Sequence, residues 1–451
     1  MNKLFENKYF LLMVQILTLF VFVALILGSI NVSTQDAQFA KILRNTNLSS
    51  LLVWSYWWPI IIVTAIFFGR FWCSICPMEL ITSFFSKIGF KRKPGRFLKS
   101  GWLITILYGF ILLVGIHTFS IHRVPQYMAI YLLLLFLGAV LVGLYWEKRT
   151  FCTYVCPVGH LLGLYSLLSF KKLRVKNQEV CKSCQTKDCI APANHYKNIG
   201  RSCTSELYPK TLQNNKDCIL CGHCFKSCTH QNIVIKNRPL GADLFKDISL
   251  SWAEISFFVM LSGFVVYEVL SEWKMSKTML MVLPKAINKQ LLIPTEYTGT
   301  IKAILLFVVL PALFYFVFAG LKKYTSKRSW KQVFTQLVLS ILPITASMHL
   351  LKAFLKTTSR LPYWSYALND YKGVESAYAI MADPASLPRD ILELIYPIIS
   401  VLALFLSVSG MALSFYVISK QKSPISSRII SYSFALFYGG LFLVCLYAWR
   451  Y

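Results

Sequence analysis

Cys218-Ile-Leu-Cys221-Gly-His-Cys224-Phe-Lys-Ser-Cys228 is the stretch on which the reading of the whole chain turns. Its spacing, C-x2-C-x2-C-x3-C, lets three thiolates wrap one cubane iron–sulfur cluster while the fourth reaches to another. Upstream lie Cys181, Cys184, Cys189 and Cys203, so eight cysteines fall between Val180 and Thr229. Zinc uses the same C-x2-C pairs, but the ferredoxin-type run and the doubled cysteine count favour two [4Fe–4S] clusters. By the ferredoxin habit of crossing the fourth ligand, Cys218, Cys221 and Cys224 pair with Cys203, and Cys181, Cys184 and Cys189 with Cys228. The first group is irregular. It has four residues before Cys189, no proline after Cys203, and Thr229 after Cys228, which leaves its cluster type open.

Outward from this stretch the chain turns apolar. Of its 451 residues 56% are hydrophobic, and several apolar runs exceed the length needed to cross a bilayer. The runs predict spans at 9–30, 51–71, 101–119, 127–146, 248–271, 300–320, 333–353, 391–417 and 429–448. The first is long enough to span and lacks a good cleavage site, so it reads as a helix and not a leader. The expected fold is an all-α polytopic membrane protein of about nine transmembrane helices with a small ferredoxin-like di-cluster insert. Its expected parts are a four-helix membrane domain at 1–169, the insert at 170–246, and a second membrane domain of about five helices at 247–451. The insert is too short to build a large apolar core without its metals. Ile233-Val234-Ile235 predicts the short strand that follows such a cysteine run.

The formal net charge is +28. Its distribution argues against nucleic acid, because Lys and Arg concentrate in alternate loops: 87–99, 171–246, 322–331 and 420–428. These are the expected cytoplasmic loops, with anionic lipid as their neighbour. Loops 31–50, 120–126, 272–299 and 353–390 fall on the other side. Twelve of the 13 cysteines then lie at or near the cytoplasmic face, where reducing conditions favour metal ligation over disulfides. Cys445, alone in the last apolar run, reads as a small buried hydrophobe.

The second and fourth spans end alike: Arg70-Phe-Trp-Cys73-Ser-Ile-Cys76-Pro77 and Arg149-Thr-Phe-Cys152-Thr-Tyr-Val-Cys156-Pro157. Two helical hairpins therefore read as duplicates, each closed by a cysteine pair and a helix-breaking proline. Cys73, Cys76, Cys152 and Cys156 are candidates for an additional centre. A four-thiolate metal or iron–sulfur site, a thiol relay and a redox disulfide all fit, the metal best.

His117 and His349 lie at similar depth in their spans, but a lone intramembrane His more often serves as a hydrogen-bonding, quinone or proton contact, so haem is not favoured. His122, His160, His195, His223 and His230 carry no specific signal. No Gly-rich phosphate loop or Ser/His/Asp elbow is present.

With these motifs in place, residues 50–235 resemble membrane iron–sulfur proteins of the NapH, NosR and CcoG type. Arg149-x2-Cys152-x3-Cys156-Pro157-Val158-Gly159 matches that family's repeated motif, and Arg70-x2-Cys73-x2-Cys76-Pro77 is one residue short of it. The resemblance implies a bacterial inner-membrane protein whose [4Fe–4S] clusters move electrons between the quinone pool and a redox partner, in the manner of a quinol dehydrogenase subunit. It does not extend over 248–451. The expected function is thus electron transfer to a respiratory or metal-reducing partner. The alternative is a transporter or assembly factor whose clusters sense redox state or hold the fold, against which stand the few charged residues in the spans.

Overall fold

The structure is a computed structural model that describes residues 7, 9–197, 200–292, 294, 297–388 and 390–450. Among them, eight helices are long and apolar enough to cross a bilayer: Phe10–Leu27, Leu48–Phe68, Pro125–Tyr145, Trp252–Leu270, Thr298–Tyr324, Trp330–Asn369, Asp390–Ser419 and Ile425–Ala448. The remaining expected span, the third at 101–119, is a shorter apolar helix, Trp102–Ile116. Its last turn, Ile111–Ile116, widens to π geometry, and the amides of Thr118 and Phe119 both close onto the Val114 carbonyl. The chain is a multi-pass, predominantly helical membrane protein.

Two compact units are built from interleaved segments. The first comprises Met1–Leu27, Val63–Ile104 and Ile130–Lys246. The second comprises Gly28–Ile62, Thr105–Ala129 and Asp247–Tyr451.

In the first unit the expected strand at Ile233 is present. Strand β1 (Lys171–Val175) pairs antiparallel with β2 (Ile233–Asn237), Leu173 opposite Ile235. Period-2 alternation turns Leu173, Ile233 and Ile235 inward, where they pack with Leu11, Leu220 and Cys224. This small core is shared with the first span rather than closed within the insert. The insert's exit is tied by charge: Asp243, fully buried, pairs with Arg238 and accepts from the Asn215 amide at 2.8 Å. Arg238 Nε in turn donates to the Ser169 carbonyl at 2.7 Å.

In the second unit, Trp330–Thr358 is the central helix, apolar and buried along most of its length. A capping box at Ser329 and Gln332 starts it. Trp252–Leu270, Thr298–Tyr324, Asp390–Ser419 and Ile425–Ala448 pack around it. At one end, Ala37–Thr46 lays Phe39 and Leu43 against Ala377 of the helix Val374–Ala382. Asn47 fastens this end, donating to the carbonyls of Gly28 and Lys372, both at 3.1 Å. Gly373 is required there. Its φ is +74° and a Cβ would meet Asn47 N at 2.2 Å.

Of the charged residues in these helices, Glu268, Lys302 and Lys352 fall within the expected spans, and Lys356 is added because Trp330–Asn369 runs beyond 353.

Candidate iron–sulfur site

The two helix ends differ by one residue in sequence and meet that difference in the backbone. Phe71–Ile75 is an ordinary α turn, and Cys76, extended at φ −70° and ψ 134°, leads into Pro77 as the first residue of the next helix. Phe151–Val155 is a π turn, closed by the Cys156 amide on the Phe151 carbonyl at 2.7 Å. A π turn takes up one inserted residue. The extra position in Cys152-x3-Cys156 is thereby absorbed, and both second cysteines arrive at a helix end before proline.

The structure brings all four of these cysteines together. Burial first, then the neighbouring Cys152, Cys156 and Cys73, push the Cys76 thiol well above its ordinary range. Cys156 is raised to about 12 by burial and then by Cys152 and Cys73, and Cys152 to about 11. Thiols pushed up as Cys76, Cys152 and Cys156 are make poor thiolates unless a metal centre stabilises the charge.

The eight insert cysteines separate into two groups. Cys189 has Cys228, Cys181 and Cys184 as its electrostatic neighbours, after burial the largest influences on it. Asn232 ties this group from the protein side, its side-chain amide donating to Cys181 Sγ at 3.2 Å and its backbone N–H to Cys228 Sγ at 3.4 Å. The other group is Cys203, Cys218, Cys221 and Cys224: Cys218 is raised to about 12 by burial, with Cys221 and Cys203 beside it. Cys224 has Cys221, Cys218 and Cys203 as its first thiol neighbours. Gly222, at φ +68°, turns the chain between Cys221 and Cys224. Among the described residues no three His, Cys, Asp or Glu side chains converge as a single ion requires. Sets of four cysteines that neighbour one another without converging suit a cluster a few ångströms across, held at its corners.

Charged residues that no spacing rule singles out surround the paired cysteines. Glu79, buried two residues past Pro77, accepts from Ser83 at 2.7 Å and from Gln15 and Arg201. Arg149 Nε lies 3.3 Å from the same carboxylate. Burial alone would raise the Glu79 carboxyl, but Arg149 and Arg201 hold it well below the usual carboxylate range. Arg149 is almost fully buried and none of its nitrogens has a hydrogen-bond partner among the described residues. Glu79, Cys152, Cys221 and Cys73 are the groups that keep it charged against burial. Arg70, its counterpart in the repeat, faces Cys73 and Cys156 and donates to the Lys216 carbonyl at 3.2 Å. Each arginine thus looks toward a cysteine of the other hairpin. The donor set fits iron–sulfur ligation: groups of four cysteines, N–H donors on sulfur, and buried cations with N–H groups to spare.

The sequence matches the 4Fe–4S binding domain family over residues 50–96 and 128–176. These segments hold Cys73, Cys76, Cys152 and Cys156 and stop short of the insert cysteines. A ferredoxin-type protein NapH of Haemophilus influenzae is 22% identical over 196 residues, 40% of this chain and 66% of its own length. Over this part of its length the chain is similar to NapH-type membrane iron–sulfur proteins. Two uncharacterized proteins of Methanocaldococcus jannaschii are also similar to this chain, 26% identical over 188 residues and 28% over 177. Each match takes in 38% of this chain, and 73% and 65% of the respective relative. No solved structure matches. The chain is an iron–sulfur electron-transfer protein whose domain match lies on the hairpin pairs, which in sequence rank behind the denser insert.

His223, between Cys221 and Cys224, has Arg201, Glu79 and Arg149 as its charged neighbours, whereas His117 and His349 pack on aromatic rings of the second unit. His117 sits edge-on to Tyr267 and against Phe307, with ring centroids 6.0 and 5.2 Å away, and His349 is edge-on to Phe264 at 6.2 Å.

Proposed function

We propose that the protein passes electrons between the quinone pool or a cytoplasmic donor and a respiratory or metal-reducing partner. The path has three iron–sulfur centres in a bacterial inner membrane, with the insert on the cytoplasmic side. Cys181, Cys184, Cys189 and Cys228 hold one, Cys203, Cys218, Cys221 and Cys224 the second, and Cys73, Cys76, Cys152 and Cys156 the third. The observation that carries this reading is Arg149, whose buried guanidinium has cysteines of the hairpin pairs and Cys221 of the insert as neighbours. When bound, the clusters supply one-electron transfer. The chain's own part is to shield them and set their potentials. Glu79 fixes Arg149, Arg149 and Arg70 place positive charge beside thiolates, and Asn232 donates to two sulfurs.

Anaerobically purified protein is expected to hold about twelve iron atoms, four per cubane. Replacing Cys152 and Cys156 by Ser should leave about eight, preserve the paramagnetic signals of the insert clusters, and abolish quinone-linked electron transfer. Unchanged iron content together with the parental transfer rate in that double variant would remove the third centre and the path through it.

A further inference from the structure

The second unit gathers cations where its own fold provides too few partners. Arg44 on the helix Ala37–Thr46, Arg123 in the turn after Trp102–Ile116, Lys302, Lys352, Lys356 and Arg360 are all partly buried, and the carboxylates among them are Glu268 and Glu272. Lys352 takes up both carboxylates, at 3.4 Å from Glu268 and in contact with Glu272. The others share what remains: Lys356 has Glu268 as its first charged neighbour, Arg360 has Tyr363 and Glu272, and Lys302 donates to Tyr267 Oη at 2.9 Å, which leaves Arg44 and Arg123 facing like charge. Burial, followed by the like charges of Arg360 and Arg123, pulls the Arg44 guanidinium down to about 10. His122 is driven well below its ordinary value by burial and then by Arg44, Lys356 and Arg123.

The donors are unmet as well as the charge. Arg44 Nε, Arg123 Nε, His122 Nδ1 and Trp54 Nε1 are buried without a hydrogen-bond partner among the described residues. Trp54 is itself only 8% exposed; its ring stands edge-on to His122 at 6.4 Å and carries Lys356 Nζ over its face at 5.8 Å. Lys322 in the same unit shows the contrast. Fully buried, it donates to Gln421 and to the Ser427 carbonyl, each at 3.2 Å, and to Ser431. Buried polar groups in a folded protein are paired, and a local excess of positive charge at membrane depth needs an anion. These cations also belong to the side of the spans remote from the basic loops, where the positive-inside tendency disfavours them.

We propose that this cluster is a binding site for a tetrahedral oxyanion of phosphate type, either a free phosphate or the phosphodiester of an anionic lipid headgroup. A phosphate offers four oxygens to several donors at once and suits the planar fork of arginine. A neutral ligand such as a quinone would accept hydrogen bonds yet leave the charge excess in place. The site stands on residues outside the iron–sulfur region and does not depend on the electron-transfer reading.

The test uses the full chain, purified with its clusters in detergent, and two variants: Arg44→Gln with Arg123→Gln, and the milder Trp54→Phe, which removes a single donor. Thermal melting is followed against inorganic phosphate, with chloride at matched ionic strength, and native mass spectrometry reports retained phospholipid. If free phosphate is the ligand, it raises the melting temperature where chloride does not, binding at least tenfold more weakly to the double variant and about threefold more weakly to Trp54→Phe. If a headgroup is the ligand, phosphate has no effect and a phospholipid adduct survives in the parent protein and is lost from the double variant. Should the double variant fail to retain its cluster absorbance, Trp54→Phe decides by the same two readouts. A response equal in chloride, equal in the variants, or absent with no retained lipid overturns the proposal.

Discussion

Glu79 in the first unit gathers Arg149, Arg201, Gln15 and Ser83 around one carboxylate, whereas Arg44 in the second is pressed by Arg360 and Arg123 and leaves its Nε unpaired. Both regions bury arginine beside the membrane. In one the protein supplies the counter-charge, and the surplus N–H groups of Arg149 face cysteines. In the other, Glu268 and Glu272 are too few for the cations around them, and Arg44 faces Arg360 and Arg123. The difference separates two uses of a buried cation, one as a fixture around thiolates and the other as half of an ion pair whose second half comes from outside the chain.

The comparison breaks first at Glu79. Glu79→Gln leaves Arg149 and Arg201 without their anion and should cost about 3–5 kcal/mol, read as a lowered melting temperature and loss of iron from the hairpin pairs before the insert. The pH dependence has a definite sign. Glu79 titrates lower in the folded state than unfolded, so its contribution is fully present above an unfolded-state value of about 4.3 and is lost as pH falls through the folded value beneath it. The stability gap between parent and Glu79→Gln should therefore stay constant from about pH 8 to about pH 5 in melting experiments; a gap that closes across that range would contradict the ion-pair account.

A smaller effect is expected at Asn232. Asn232→Ala removes the side-chain donor to Cys181 Sγ, and a hydrogen bond of about 1 kcal/mol corresponds to about 40 mV for one electron. The potential of the Cys181 group should become more negative by that order in a redox titration followed by paramagnetic resonance, with the Cys221 group unmoved.

Arg44→Gln sharpens the contrast from the other side. In phosphate-free, delipidated detergent it should leave the melting temperature unchanged or raise it by the equivalent of about 1 kcal/mol or less, because it relieves like-charge repulsion. A loss as large as that at Glu79 would show Arg44 to be internally paired. Least of all should follow from Glu179→Ala on the exposed pair with Lys182, where the 2.6 Å contact is worth about 0.5 kcal/mol or less.

Much of the first unit was legible in the chain because its signals are local. The spacing of Cys218 to Cys228, the strand at Ile233 and the two Arg-x2-Cys helix ends are all read within a dozen residues. Even the one-residue mismatch between the ends was visible, though only the backbone shows that a π turn at Phe151–Val155 absorbs it. Glu79 and Arg201 were not legible, since a lone acid and a lone base 122 positions apart have no spacing to betray them. The cationic cluster was hidden for the same reason: Arg44, Arg123 and Arg360 sit in segments that read separately as unremarkable loops and span ends. The short third span was misjudged in length because hydropathy does not see where a helix widens and stops, as it does between Ile111 and His117.

The grouping of the cysteines also bears on how the protein is made. Cys228, last of the eight in the insert, belongs with Cys181, Cys184 and Cys189, while Cys203 from the middle belongs with the later run. The hairpin set likewise joins Cys73 and Cys76 to Cys152 and Cys156 across an entire intervening hairpin. No group is complete while the ribosome is still short of its distant member. Cys73 and Cys76 must wait, reduced and unclaimed, while the intervening hairpin is inserted, yet every group has its last cysteine by residue 228, so all three sets can be filled before the helices from Trp252 onward are made.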